Sequence, residues 1–237
     1  MITLVEQFCQ QIGWNVGECT VVVEGTSDVA YFERASMLYK QTHGNAILGT
    51  DFAVVAAGQR DDGGVDGVNR RLNAARQIAE ADRGPMGATR YRFVGLFDND
   101  RAGRRALDNA CRFDRRLNPY VDLFLLHPVM PILNANPQSS LKIDILKANQ
   151  PFAGLDWEVE DLCSESLLAR FEANNPSAVT NKVVVSGRIH RDFDRLAKPE
   201  LKKYFLQHAV LSDVHEMVKL LVALRSYLGL RYSHFRF

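Results

Sequence analysis

Two apolar runs in this chain stop abruptly in acid. Val21-Val22-Val23 leads into Glu24-Gly25-Thr26-Ser27-Asp28, and about seventy residues later Val94-Gly95-Leu96-Phe97 leads into Asp98-Asn99-Asp100-Arg101-Ala102-Gly103. A short run of β-branched and aromatic residues bounded by Gly and Asp reads as a strand buried on both faces, and the amphipathic stretch after each run reads as a helix. The acids therefore sit on two strand-to-helix turns. In open α/β sheets the crevice outside the carboxyl ends of the strands is where ligands bind, so acids carried there by two strands are expected to converge. Side-by-side carboxylates need a cation. Hard oxygen donors of this kind suit Mg²⁺, which takes one or two carboxylates and completes its octahedron with water and substrate phosphate.

The alternation of strand and helix extends through the first half. A helix is expected over residues 2–12, a strand over 20–24, and a helix to about Lys40 that Thr26 or Ser27 would N-cap, with Asp28 in its first turn. Strands follow at 52–57, 91–97 and 121–126, separated by a Gly-rich loop at 59–64, a long helix ending near Asp82, and a helix over 102–117. This rhythm predicts an α/β fold with a mostly parallel sheet covered by helices on both faces. Beyond Pro128, Pro131 and Pro137 the pattern changes to mainly helical, with helices expected at 160–173, 199–208 and 213–228 and one strand at 182–185. The expected division is an α/β core over 1–135 and a helical elaboration over 136–237 packed on it as one domain.

Net charge is +1, so any case for nucleic acid has to be local. That case is the helix after Asp100. At 100° per residue Arg101, Arg104, Arg105, Arg112, Arg115 and Arg116 fall within an arc of roughly 120°, opposite Ala102, Ala106, Ala110, Phe113 and Leu117. Asp108 lies inside the stripe and can pair with Arg104 or Arg112. An arginine stripe beginning beside the proposed metal site is what a polyanion groove needs, because the planar guanidinium matches phosphate; Arg101, Arg104 and Arg105 are its near end. Other groups are ambiguous. Glu158, Glu160 and Asp161 form a third acidic group that could simply favour a helix N-terminus. Arg188, His190, Arg191, Lys198, Lys202 and Lys203 form a basic segment in which Lys198 or Lys202 could face a phosphate or could belong to a solvated helix face. His127 reads as structural. The tail Arg231 to Phe237 could dock on the domain or on a partner.

The scattered cysteines Cys9, Cys19, Cys111 and Cys163 read as free thiols in a reducing compartment, and the cytoplasm is the expected location. The first turns carry Glu6, Gln7 and Gln10 in place of a basic start, which argues against a signal peptide. Residues 214–230, the most apolar late stretch, are interrupted by His215, Glu216, Lys219 and Arg225 and cannot cross a bilayer cheaply.

The pair Glu24-Gly25 with Asp28, and Asp98-x-Asp100-x-Ala102-Gly103, each after an apolar run and in this order, resembles the two halves of a TOPRIM domain. That module is shared by topoisomerases, bacterial primases, OLD-family nucleases and a ribosomal-RNA maturation nuclease. The resemblance covers residues 20–126. It implies a Rossmann-like core and a Mg²⁺ (or Mn²⁺) site of one or two ions held by Glu24, Asp98 and Asp100, with Asp28 in support. The Glu-x-Glu-Asp-Leu run resembles the downstream acids of OLD-like nucleases, which implies that Glu160, and with it Asp161, ligates a second metal. Glu24, Asp98, Asp100 and Lys198 are the expected catalytic set.

Among relatives of this kind, a primase needs a zinc segment and a polymerase fold. A topoisomerase needs a tyrosine on a large separate domain, and OLD proteins carry a fused ATPase with a Gly-x-x-x-x-Gly-Lys-Ser/Thr loop, which is not found in this sequence. What the resemblance leaves is a stand-alone TOPRIM endonuclease, acting on DNA ahead of RNA, serving anti-phage defence beside a separately encoded ATPase or sensor, with no membrane role and with a homo-oligomer as an open expectation. The competing expectations are an RNA-maturation nuclease acting on structured RNA and a TOPRIM scaffold that binds a partner or nucleic acid without cutting. A haloacid-dehalogenase-type phosphatase ranks below these, because its Asp-x-Asp usually opens the fold.

Overall fold

Five consecutive residues of β1 (Cys19–Val23) are buried, as a continuous apolar run requires of a central strand. The structure, a computed structural model, describes residues 2–58, 63–84, 87–133 and 141–236. β1 pairs on one side with β2 (Phe52–Ala56) and on the other with β3 (Arg92–Phe97), which pairs with β4 (Leu123–Leu125). All pairings are parallel and the order is β2-β1-β3-β4. A four-stranded parallel sheet flanked by helices is a Rossmann-like architecture.

The chain divides into two compact units whose boundary differs from the expected one. The first holds 1–29, 48–97 and 102–125; the second holds 30–47, 98–101 and 126–237. One face of the sheet in the first unit carries Val22, Val55, Phe93, Phe97, Leu123 and Leu125, packed with α1 (Leu4–Gln11), α3 (Gly64–Ala81) and α4 (Arg101–Phe113). α1 starts with a capping box between Thr3 and Glu6, and the Val5 N–H then donates to Asp82, at the end of α3. α3 lies close on β3 because Gly95 has no side chain. A Cβ there would meet Leu123 Cδ2 at 3.0 Å and Leu72 Cδ2 at 3.1 Å. Part of the expected Gly-rich loop, 59–62, lies outside the described residues.

α4 ends earlier than periodicity suggests, at Phe113, and the chain turns at 114–116. Its buried residues are Gly103, Ala106, Leu107 and Ala110, whereas Phe113 is 84% exposed and Ala102 is also exposed. The expected apolar face holds at Ala106 and Ala110, fails at Ala102 and Phe113, and resumes past the helix at Leu117, which packs partly buried against the core.

α2 (Thr26–His43) begins in the first unit and continues in the second. The second unit also contains α5 (Leu141–Ala148), α6 (Glu165–Asn174), α7 (Ala197–His208) and α8 (His215–Tyr227). It is mainly helical, as expected. The expected single strand at 182–185 is instead half of an antiparallel ribbon, β5 (Val179–Val185) with β6 (Arg188–Phe193). The C-terminal tail docks within its own unit: buried Arg225 donates to the carbonyls of Ile47 and Arg231, its guanidinium lies over the Phe235 ring, and the Arg236 N–H donates to Tyr39 Oη. All four cysteines are free thiols. Among the described residues no helix is long and apolar enough to cross a membrane.

Gly95→Val adds three carbons where α3 and Leu123 already close on the strand. We expect the variant to lose about 1–3 kcal/mol of unfolding free energy, read from the denaturant midpoint at unchanged m-value.

Candidate functional site

Chemistry-bearing side chains of the second unit gather around one lysine. The loop after β3 is fixed by a two-way backbone pairing: the Asn99 N–H donates to the Trp157 carbonyl at 2.8 Å and the Trp157 N–H donates back at 3.3 Å. The residue between Asp98 and Asp100 is thereby tied to the residue before Glu158. The Asn99 carboxamide lies 3.2 Å from His127 Nδ1, and both residues are buried. Asp100 immediately precedes α4, in the position of an N-cap.

Lys198, in the first turn of α7, donates to Glu158 Oε2 at 2.7 Å and lies 3.8 Å from Glu160 Oε1. Burial acts to lower the Lys198 pKa. The charges of Glu160, Glu158 and Asp98 and the hydrogen bond to Glu158 outweigh it and hold the ammonium above its usual range. Lys198 is thus not part of a solvated helix face: it is a half-exposed cation shared by carboxylates. The Glu160 side chain is buried.

Asp161 has a different role from the expected one. Residues 159–162 form a 3₁₀ turn, not the start of a long helix, and a new helix, α6, begins after the Ser164 N-cap. The Asp161 carboxylate accepts from the Glu158 N–H at 2.8 Å, from His190 Nδ1 at 2.7 Å and from the Arg191 N–H at 3.3 Å. With three protein donors it anchors the acidic turn to β6. Arg191, also buried, pairs with Glu165 and Glu172.

In the first unit, Glu24 follows β1 and is half-buried, and its carbonyl accepts from the Gly64 N–H at 3.0 Å. Asp28 turns back to accept from the Gly25 N–H at 2.9 Å, the reciprocal half of a capping box, since α2 starts at Thr26. Asp28 therefore serves helix capping. Gly25 is demanded neither by a positive φ nor by crowding, because a Cβ there would meet nothing closer than 3.9 Å.

The arginine stripe persists along α4 as far as exposed Arg112 and ends there. Arg101 and Arg105 are exposed and Arg104 is half-buried on α4. Arg115 and Arg116 lie past the helix, and Arg116 is paired with Asp114 at 2.9 Å and with Glu80 at 3.4 Å.

Oxygen donors are the right chemistry for Mg²⁺, yet no group of three or more His, Cys, Asp or Glu side chains is set to hold a metal ion among the described residues. The fit is to a sparse site of one or two carboxylates, with water and phosphate completing the shell. Comparison with family models, with curated proteins and with solved structures finds no match for this chain.

Sequence reasoning missed Glu158, His190, Asn99 and Trp157 as parts of one cluster. The only local signal was the density of acids at 158–161; the partners lie thirty to sixty residues away and their pairing has no periodic signature.

His190 carries a testable consequence. Burial acts to lower its pKa, but hydrogen bonds to Asp161 and Asp192 and the Asp161 charge raise it from 6.5 to about 9. Its stabilising contribution is therefore complete below the unfolded value of 6.5 and is lost as pH rises through about 9. Between pH 6 and pH 9.5 wild type should lose on the order of 3 kcal/mol more unfolding free energy than His190→Gln, measured by urea denaturation at both pH values.

Proposed function

We propose that this chain is a metal-dependent nuclease of TOPRIM type, hydrolysing phosphodiester bonds in nucleic acid, DNA ahead of RNA. The observation that carries the reading is the half-exposed Lys198 ammonium shared by Glu158 and Glu160, within the field of the Asp98 charge. A lysine set among carboxylates gives a phosphodiester both a cation for its oxygens and acids for a metal. Further support comes from the sheet. β1 and β3 are neighbouring parallel strands whose carboxyl ends lie side by side, where ligands bind in open α/β sheets.

In this proposal Asp98 and Glu160 would hold Mg²⁺ or Mn²⁺, with Asp100 and Glu24 as the further carboxylates implied by the resemblance. The bound ion would supply charge neutralisation at the phosphate and lower the pKa of a water. Lys198 donates to a non-bridging phosphate oxygen and stabilises charge that grows there. Glu158 keeps the lysine oriented and charged. Gly25 leaves backbone room beside Glu24 for a phosphate, and Arg101, Arg104 and Arg105 supply the surface on which the polymer backbone lies. A separately encoded ATPase or sensor, and a defence role, rest on the resemblance alone.

A second reading, a scaffold that binds nucleic acid without cutting, draws on one observation: Lys198 already neutralises Glu158 and Glu160 without a metal. The two are separated by incubating the purified chain with supercoiled plasmid, linear DNA and structured RNA in Mg²⁺ or Mn²⁺. Cleavage is expected to disappear in EDTA and to fall at least about 100-fold in Asp98→Ala, Glu24→Ala and Lys198→Ala. Retention of polymer on a filter with no cutting under any metal would leave the scaffold.

A further inference from the structure

β5 leaves one of its edges open. Ser186 and Gly187, both at positive φ, form a two-residue turn between β5 and β6. A turn of that length makes the flanking pair, Val185 with Arg188, a hydrogen-bonded one, and the two kinds of pair alternate from there. Val183 with His190 is again hydrogen-bonded, whereas Val184 with Ile189 and Lys182 with Arg191 are not. The Arg191 N–H agrees with this phase: it points out of the ribbon and donates to Asp161 at 3.3 Å. The outward side of β6 is thus tied to the acidic turn. On β5 the N–H and C=O groups of Lys182 and Val184 point outward, and among the described residues no backbone hydrogen bond joins β5 to anything but β6.

An open edge is ordinarily guarded by proline, a lysine, a bulge or a cover. β5 contains no proline, and its register shift near Val179 leaves 181–185 regular. Its one charged residue, Lys182, has its ammonium drawn to Glu172 on α6. Five of its seven residues are β-branched, and Val183 and Val184 are 38% and 64% exposed. Such a strand is a template for another strand.

The strand also complements itself. A two-fold axis through Val183 sets Lys182 of one copy opposite Val184 of the other. These are the outward-facing residues, so each such pair exchanges N–H···O bonds in both directions and the axis repeats the pair. Val183 then meets its own copy as a β-branched cross-strand pair, and the Lys182 stem lies against valine. An axis through Lys182 would instead oppose two like charges. We propose that β5 is a homodimer interface, with two copies pairing antiparallel about Val183 and joining their ribbons into one four-stranded sheet. The interface uses none of the proposed nuclease residues.

Sedimentation equilibrium, which needs no activity, tests this separately from the nuclease reading. Wild type is expected to show a dimer at about 100 μM. Val184→Pro removes an outward N–H and no bond to β6, and Val184→Lys sets a lysine against the partner's Lys182; each is expected to weaken the dimer at least about tenfold. Val184 is exposed, so both variants keep the fold, checked by circular dichroism. Disulfide trapping in a Cys111→Ser background, which removes the one cysteine that is not buried, reads the register. Across the axis the two Val183 Cα atoms would lie about 4.5 Å apart, within disulfide reach, whereas the two Val184 positions are diagonal at roughly 7–8 Å. Val183→Cys should therefore cross-link at least about tenfold faster than Val184→Cys. A monomer at about 100 μM, a dimer indifferent to both Val184 substitutions, or equal cross-linking of the two cysteine variants overturns the proposal.

Discussion

The candidate site of the second unit depends on one pair of backbone hydrogen bonds, between Asn99 and Trp157. Asp98 and Asp100 flank Asn99, and Glu158 follows Trp157, so the pairing brings two acidic segments some sixty residues apart into one frame. Side-chain interactions alone would not achieve this, because like-charged carboxylates repel. Backbone groups have to be paired in any case when buried, and using them to hold acids together adds no further polar cost. Buried Trp157 gives the strand-like contact a rigid wall, with the Arg188 guanidinium 6.0 Å from its ring centroid.

A second constraint acts through Asp161. Its carboxylate joins the 3₁₀ turn to β6, and β6 in turn buries Arg191 between two glutamates. Removing the more buried acid, Glu172, would leave buried Arg191 with only the exposed Glu165 to compensate it. The outer strand, β5, contributes little to this: its residues are largely exposed, and what fixes the ribbon is the polar face of β6. Lys182 adds a tie from β5 to Glu172, the same acid that holds Arg191.

This difference explains what was legible in the sequence. The four parallel strands were readable because burial on both faces leaves a continuous apolar run, and Val21–Val23 or Val94–Phe97 has no other soluble use. The acids at their ends were readable for the same reason, since the run stops sharply at Glu24 and Asp98. β6 was invisible, because Arg-Ile-His-Arg-Asp-Phe buries His190 and Arg191 through ion pairs in place of an apolar pattern. The far end of the arginine stripe misled through an assumed helix length: once α4 ends at Phe113, the 100° step no longer applies to Arg115 and Arg116. Asp28 shows the limit of composition, since a carboxylate in a first helical turn serves capping and metal ligation with the same spacing. The hydrogen bond from the Gly25 N–H shows the capping role.

Lys198 gives the acidic cluster its particular character. Carboxylates gathered together repel one another, and a resident ammonium offsets part of that repulsion. An ammonium has three N–H donors. Glu158 takes one at 2.7 Å, while Glu160 at 3.8 Å is a charge contact and not a hydrogen bond. A phosphate oxygen can therefore join Lys198 without displacing Glu158, whose grip keeps the amine charged and aimed. Donors fixed in place by their protein partners are the condition under which electrostatic stabilisation costs least reorganisation.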